Sequence, residues 1–198
     1  LPMDGASLWW PVGYGRPNLY RVRATLKDEQ GVMDTTVTRT GLRKLEEQTE
    51  NKGWRINDRR LFIKGSNYIG SPWLGTMTRK KYRRDFELVE AMNANAIRVH
   101  GHVAGRALYE VADEMGLMIW QDVPLQWGYD NSAAFADNAV RQTREMVEQF
   151  GNSPAIIVWG GHNEPPWNSP WMEKRFPDWN KTLNQSLTKR VGDTLAED

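Results

Sequence analysis

Through about Lys44 the chain alternates apolar and polar positions with a period of two. In "LYRVRATL", Tyr20, Val22, Ala24 and Leu26 are separated by basic or polar residues. A turn cluster, "KDEQG" (Lys27 to Gly31), and a second β-rich run, "VMDTTVTRTG", follow. Together they predict an antiparallel hairpin, too small to enclose a core alone. "RKLEEQTENKG" is polar and reads as a connector. "WRINDRRLFIKGSNYIG" predicts a short hairpin turning at Asn57-Asp58, then an apolar strand around Leu61 to Lys64.

From there the period lengthens. "TRKKYRRDFELVEAMNA" repeats apolar residues at helical spacing through Tyr82, Phe86, Val89 and Met92. "RALYEVADEMG" does so through Leu108, Val111, Ala112 and Met115, with Gly116 placed to cap it. "FADNAVRQTREMVEQFG" does so through Phe135, Ala139, Met146 and Phe150, and "DWNKTLNQSLTKRVGDTLAED" predicts a fourth helix. Between them stand the apolar runs "AIRVHGHV", "LMIWQDVPL" and "AIIVWGG". Strands that are apolar throughout and alternate with helices predict a parallel sheet covered by helices, an α/β architecture. In such a sheet the carboxyl ends of the strands carry the chemistry. Here they run into Gly65-Ser66-Asn67, Arg98-Val99-His100-Gly101-His102, Gln121-Asp122 and His162-Asn163-Glu164, so every strand exits into hydrogen-bonding residues on one rim.

Composition narrows the function classes. The 198 residues are 39% hydrophobic and 26% charged, a globular balance. Lys+Arg 26 against Asp+Glu 25 leave a net charge of +1, so no global field draws nucleic acid. The basic run Arg79 to Arg84 reads as a solvated helix face. No window approaches the roughly 18 apolar residues of a membrane helix. Zero cysteines exclude thiol chemistry and disulfides without fixing a compartment. The start carries no basic-then-apolar leader and reads as mid-domain sequence. Ten Trp residues are a high number, suited to sugar faces as well as to cores.

The last strand exit raises the sharpest chemical question, because an apolar run delivers an amide and a carboxylate before Pro165 and Pro166. Glycoside hydrolysis needs two carboxyl groups, one to protonate the departing oxygen and one to attack carbon or activate water. Glu164, between apolar walls such as Trp159 and Trp167, suits the proton donor. Asn163 can donate to a sugar hydroxyl, Arg98 and His100 can face the substrate, and Asn67 lies on the same rim. Asp122 either accepts from sugar hydroxyls or orients Arg98 through a salt bridge. Trp167 and Trp171, in a Pro-rich loop, suit sugar stacking; Trp120 reads as core.

"NEP" after an apolar strand resembles the acid/base signature of retaining (β/α)8-barrel glycosidases. "LWWPVGYGRPNLYRV" resembles the end of the immunoglobulin-like sandwich that precedes the barrel in family 2 glycoside hydrolases. "INDRRLFIKGSNYI", "NAIRVHGH", "YEVADEMGLMIWQDVP" and "NSPAIIVWGGHNE" resemble their first four barrel strands in order, with wording nearest the β-mannosidase-like branch. The resemblance implies the last strands of a sandwich over residues 1–45 and the first half of a TIM barrel over 46–198. It implies Glu164 as acid/base, Asn163 as the hydroxyl-binding amide and Arg98 as a structural residue of the site. It implies an oligosaccharide or β-glycoside substrate and no cofactor or metal. His100 departs from the branch, which usually has Trp there.

The family's nucleophile is a second Glu on the seventh strand, and the stretch from Leu61 is well short of the about 250 residues a barrel takes. No residue here is assigned that role. The expectation for the chain alone is therefore an inactive fragment whose open barrel edges self-associate. Two other readings stay open: a metal-dependent barrel hydrolase using His100 and His102 with His162 and Asp122, and a non-catalytic sugar-binding scaffold.

Overall fold

The computed structural model describes residues 5–48, 53–129, 132–164, 174 and 185–197. Strands β1 (Tyr20–Asp28) and β2 (Gly31–Thr40) form the expected antiparallel hairpin. Its turn is closed by Asp28, whose Oδ1 accepts from the amides of Gln30 (2.8 Å) and Gly31 (3.0 Å). A second sheet comprises β3 (Leu45–Gln48), β4 (Gly53–Ile56) and β5 (Arg59–Leu61). The β4–β5 turn falls at Asn57-Asp58, both in the left-handed region (φ +48° and +65°) that a two-residue hairpin turn requires.

Two elements differ from expectation. The polar segment Leu45–Gln48 is a strand rather than a connector: pairing with β4 sets Leu45 opposite Ile56, so an edge strand needs few apolar residues of its own. The first parallel strand is β6 (Gly65–Tyr68), not Leu61 to Lys64. Leu61 is drawn into the antiparallel sheet opposite Trp54, and Phe62 beside it is 72% exposed. Asn95 then sets where β6 starts, accepting from the Lys64 amide (2.8 Å) while its side chain donates to the Phe62 carbonyl (2.9 Å).

Strands β6, β7 (Ala96–Val99), β8 (Met118–Asp122) and β9 (Ile156–Gly160) lie side by side in chain order, all parallel. Helices α1 (Arg79–Ala91), α2 (Arg106–Met115), α3 (Ala133–Phe150) and α4 (Gln185–Leu195) belong to the same alternation. Thr78 and Ser132 cap α1 and α3 through their hydroxyls, and Gly116 ends α2 at φ +77°. This is a partial (β/α) barrel, preceded by β-strands.

Alternation along each strand decides what faces where. Ile97, Val99, Ile119 and Gln121 are buried, and the core includes Phe86, Leu108, Val111 and Phe150 from the helices. Tyr109 stacks on Phe150 at 4.0 Å. In α1, Tyr82 and Phe86 are buried, whereas Met92 lies past the helix end and is 70% exposed. Trp120 departs from its core expectation: it is 44% exposed, with the Arg98 guanidinium 5.4 Å from its ring. The basic run is partly engaged, since Arg79 and Arg83 bridge to Glu114 of α2. Such exposed pairs contribute at most about 1 kcal/mol each.

The leading segment is bolted beneath the amino ends of β8 and β9. Trp9 is fully buried and donates its indole N–H to the Asp113 carbonyl (2.8 Å). Arg39 bridges to Glu114 (2.6 Å), and Arg43 donates to the carbonyls of Pro154 and Ile156. The Asp113 carboxyl, buried at this junction, accepts from Ser153 Oγ (2.5 Å) and the Ala155 amide (3.2 Å). Burial pushes its pKa up to about 6. All of this occupies the amino end of the sheet and leaves the carboxyl rim open. Among the described residues, no helix is long and apolar enough to cross a membrane.

Candidate active site

The rim is organised around one buried carboxylate. Asp122 ends β8, is 1% exposed, and accepts from Arg98 of β7 through Nε (3.0 and 3.1 Å) and Nη2 (2.9 Å). It also accepts from the Gly101 amide (3.1 Å). A buried carboxylate requires such donors to offset its lost hydration. Of the two roles open for Asp122, the geometry shows the salt bridge that orients Arg98. Gly160, opposite Asp122 in β9, leaves the room: a Cβ there would lie 2.5 Å from Asp122 Oδ1 and from Trp120 Nε1.

Arg98 passes this order on to the last strand exit. Its Nη2 donates to Asn163 Oδ1 (2.8 Å). Because a guanidinium only donates, the atom facing it must be the amide oxygen, and the Asn163 NH2 remains a donor for another partner. Asn163 is itself buried, and its backbone is stitched to the loop after β8: its amide donates to the Leu125 carbonyl (2.9 Å) and its carbonyl accepts from the Trp127 amide (3.0 Å). The next residue, Glu164, is exposed at φ +50°. Its Oε2 accepts from the Trp127 indole N–H at 3.0 Å.

The structure thus brings together Arg98, Asp122 and Asn163, with Glu164 adjoining them. His100 sits beside the cluster, its Nδ1 3.5 Å from Asp122 Oδ2. Asn67 lies in register with Arg98 across β6 and β7, and both line a groove of about 270 Å³ with Ile63, Gly65, Ala96 and Trp120. Trp167 and Trp171 lie outside the described residues. The described side-chain contact of Glu164 is with the Trp127 indole, a residue of the loop after β8.

The histidines do not gather as ligands. His102 Nδ1 contacts the His100 carbonyl (3.1 Å), and the His162 ring sits 5.0 Å from Tyr129. Burial lowers the His162 pKa to about 4, keeping the imidazole neutral. Among the described residues, no three His, Asp or Glu side chains converge as a metal site.

Sequence reasoning missed Trp127 and Gln126, and it placed Gln121 at a strand exit without giving it a role. Gln121 is fully buried beneath the rim, accepting from Tyr109 (2.7 Å) and donating to the His102 carbonyl (2.8 Å). Gln126 donates to the Gly101 carbonyl (3.3 Å), joining a third loop to the other two. The available signal was "QDVPLQWG", polar and aromatic residues placed directly after an apolar strand.

Comparison with known proteins fits this geometry. The chain matches the family model for glycosyl hydrolases family 2 over residues 1–43, and that family's TIM barrel domain over 48–188. It is 32% identical to a β-mannosidase B of Thermothelomyces thermophilus over 174 residues, covering 82% of this chain and 20% of that one. Its fold matches a β-D-mannosidase from Dictyoglomus thermophilum with a TM-score of 0.81 at 29% identity, covering 96% of this chain and 25% of the other. It matches a Parabacteroides merdae β-glucuronidase with a TM-score of 0.78 at 25% identity, covering 96% and 23%. The chain spans about a fifth of the length of the curated relatives it matches.

Proposed function

This chain belongs to glycosyl hydrolases family 2, and from that premise we propose that the full-length protein cleaves terminal β-linked sugars by retaining double displacement, with Glu164 as general acid/base. We take residues 1–45 as the last strands of a sandwich domain and 46–198 as the first half of the catalytic barrel. The observation that carries the reading is that Arg98 donates both to the buried Asp122 carboxylate and to Asn163 Oδ1, which ties the residue before Glu164 to the carboxyl rim.

In the first step, Glu164 gives its proton to the glycosidic oxygen as the C1–O bond breaks. A second carboxylate, supplied from outside this chain, forms the ester to C1. In the second step, Glu164 takes a proton from water, whose oxygen attacks C1 and expels that carboxylate. Asn163, its oxygen engaged by Arg98, offers its NH2 to a hydroxyl next to the reacting carbon. Arg98 and Asp122 act by holding that amide. His100 and Asn67 face the glycone, and Trp167 is a stacking candidate. The relatives' names make a β-mannoside or a β-glucuronide the substrate class to try first. The chain alone holds one of the two carboxyl groups and is inactive.

The test is to assay the full-length protein on aryl β-mannoside, β-glucuronide, β-glucoside and β-galactoside, alongside Glu164→Gln. Turnover of one of these, reduced roughly 10²–10⁴-fold in the variant for a substrate with a poor leaving group, is expected. Full activity in Glu164→Gln would sink the assignment.

A further inference from the structure

Among the described residues, Trp127 and Glu164 are the two on the rim whose backbones are both non-glycine and left-handed, at φ +54° and +50°. Such a conformation is unfavourable for an L side chain and persists where surrounding structure imposes it. What imposes it here is visible. The loop after β8 and the loop after β9 are joined at their bases by an isolated parallel bridge, Gln126 with Asn163. The residue following each bridge partner then turns left-handed, and the two side chains meet: Trp127 Nε1–H donates to Glu164 Oε2 at 3.0 Å.

We infer that Trp127 is a positioning residue for the proton-transferring carboxyl, holding Glu164 by one oxygen so that Oε1 is the atom that exchanges a proton with the glycosidic oxygen. The inference rests on the acid/base role proposed above for Glu164. An exposed glutamate on a loop otherwise samples many rotamers, and either oxygen presents itself at random. Indole is a donor only, so its N–H can hold a carboxylate oxygen without competing for the proton. Proton transfer requires that the donor oxygen lie within hydrogen-bond reach of the leaving oxygen, and a tethered carboxyl meets that condition more often.

The experiment uses the full-length protein, Trp127→Phe, which keeps a ring and loses the donor, and Glu164→Gln. Each is assayed as kcat/KM on 2,4-dinitrophenyl and 4-methoxyphenyl β-mannosides, or the matching β-glucuronides if those are the ones turned over. Dinitrophenolate leaves without a proton, whereas methoxyphenolate needs one. Trp127→Phe is expected to lose roughly 10-fold or more on the methoxyphenyl glycoside and no more than about 3-fold on the dinitrophenyl one. The ratio of the two is independent of the fraction of protein folded, and Trp127→Leu is expected to show the same ratio. Equal losses on both substrates, or none on either, would overturn the positioning role while Glu164→Gln still discriminates between them. If Glu164→Gln itself fails to discriminate, the acid/base assignment falls and this inference falls with it.

Discussion

Replacing Asp113 by Asn should make the protein more stable at neutral pH, and the gain should vanish in acid. Asp113 is 5% exposed, and burial raises its pKa from 3.8 to about 6. The folded state therefore binds this proton more tightly than the unfolded chain does. Stability from that proton is complete below pH 3.8 and is lost as pH rises through 6. The gap corresponds to about 3 kcal/mol, an upper bound. Asparagine suits the site because Oδ1 accepts from both Ser153 and Ala155, which an amide oxygen also does. Arg39, 4.0 Å from Oδ2, retains Glu114 at 2.6 Å. Allowing for the amide NH2 beside Arg39, the gain at pH 7.5 should be about 2 kcal/mol, or roughly 4–8 °C in Tm.

His162 acts in the opposite sense. Its folded pKa, lowered from 6.5 to about 4, gives stability present above 6.5 and lost as pH falls toward 4. Discounted for its partial exposure, that is about 1–2 kcal/mol. The wild type should accordingly show a shallow profile between pH 4 and 6.5, while Asp113→Asn should gain stability steadily with pH. Urea unfolding followed by circular dichroism at pH 4, 5.5 and 7.5, at low protein concentration, measures both. A gain of the same size at pH 4 and 7.5, or a loss at pH 7.5, would refute the reasoning.

Other outcomes follow from the rim and the open sheet. Asp122→Asn removes one partner of a buried ion pair and leaves Arg98 facing amide hydrogens; unfolding stability should drop by about 3 kcal/mol, and a change under 1 would contradict the network. Gly160→Ala should cost about 1–3 kcal/mol, because Trp120 can swing outward but buried Asp122 cannot, and a neutral result in thermal melts would count against the close approach. The isolated chain should self-associate through the end strands β6 and β9 and the exposed Trp120, Ile69 and Trp73, so sedimentation velocity showing a monomer across micromolar concentrations would contradict that reading.

Much of the fold is legible because burial has a period. Apolar positions spaced by three and four placed α1, α2 and α3, and continuous apolar runs placed β7, β8 and β9. The turn at Asn57-Asp58 and the cap at Gly116 were legible because few residues tolerate a positive φ. The rim was legible for a related reason: an amide and a carboxylate after a buried strand must stand at its exit. Motif order along the chain did the rest, matching one family across most of its length.

Tertiary packing alone decided what depends on register between distant segments. Residues 45–48 became a strand only through pairing with β4, and the parallel sheet began at Gly65 because Asn95 clamps Lys64 from 31 residues away. Arg98 meets Asn163 across 65 residues, and Trp127 meets Glu164 across 37. Nothing in local alternation encodes which side chains will share a rim once four strands align. Nor does it encode the cost of a charge: Asp113 directly follows Val111 and Ala112 in α2, and it is buried where Ser153 and the Ala155 amide, 40 and 42 residues away, donate to its carboxyl. Periodicity therefore settled which faces turn inward, and the three-dimensional meeting of loops settled which polar groups must answer one another.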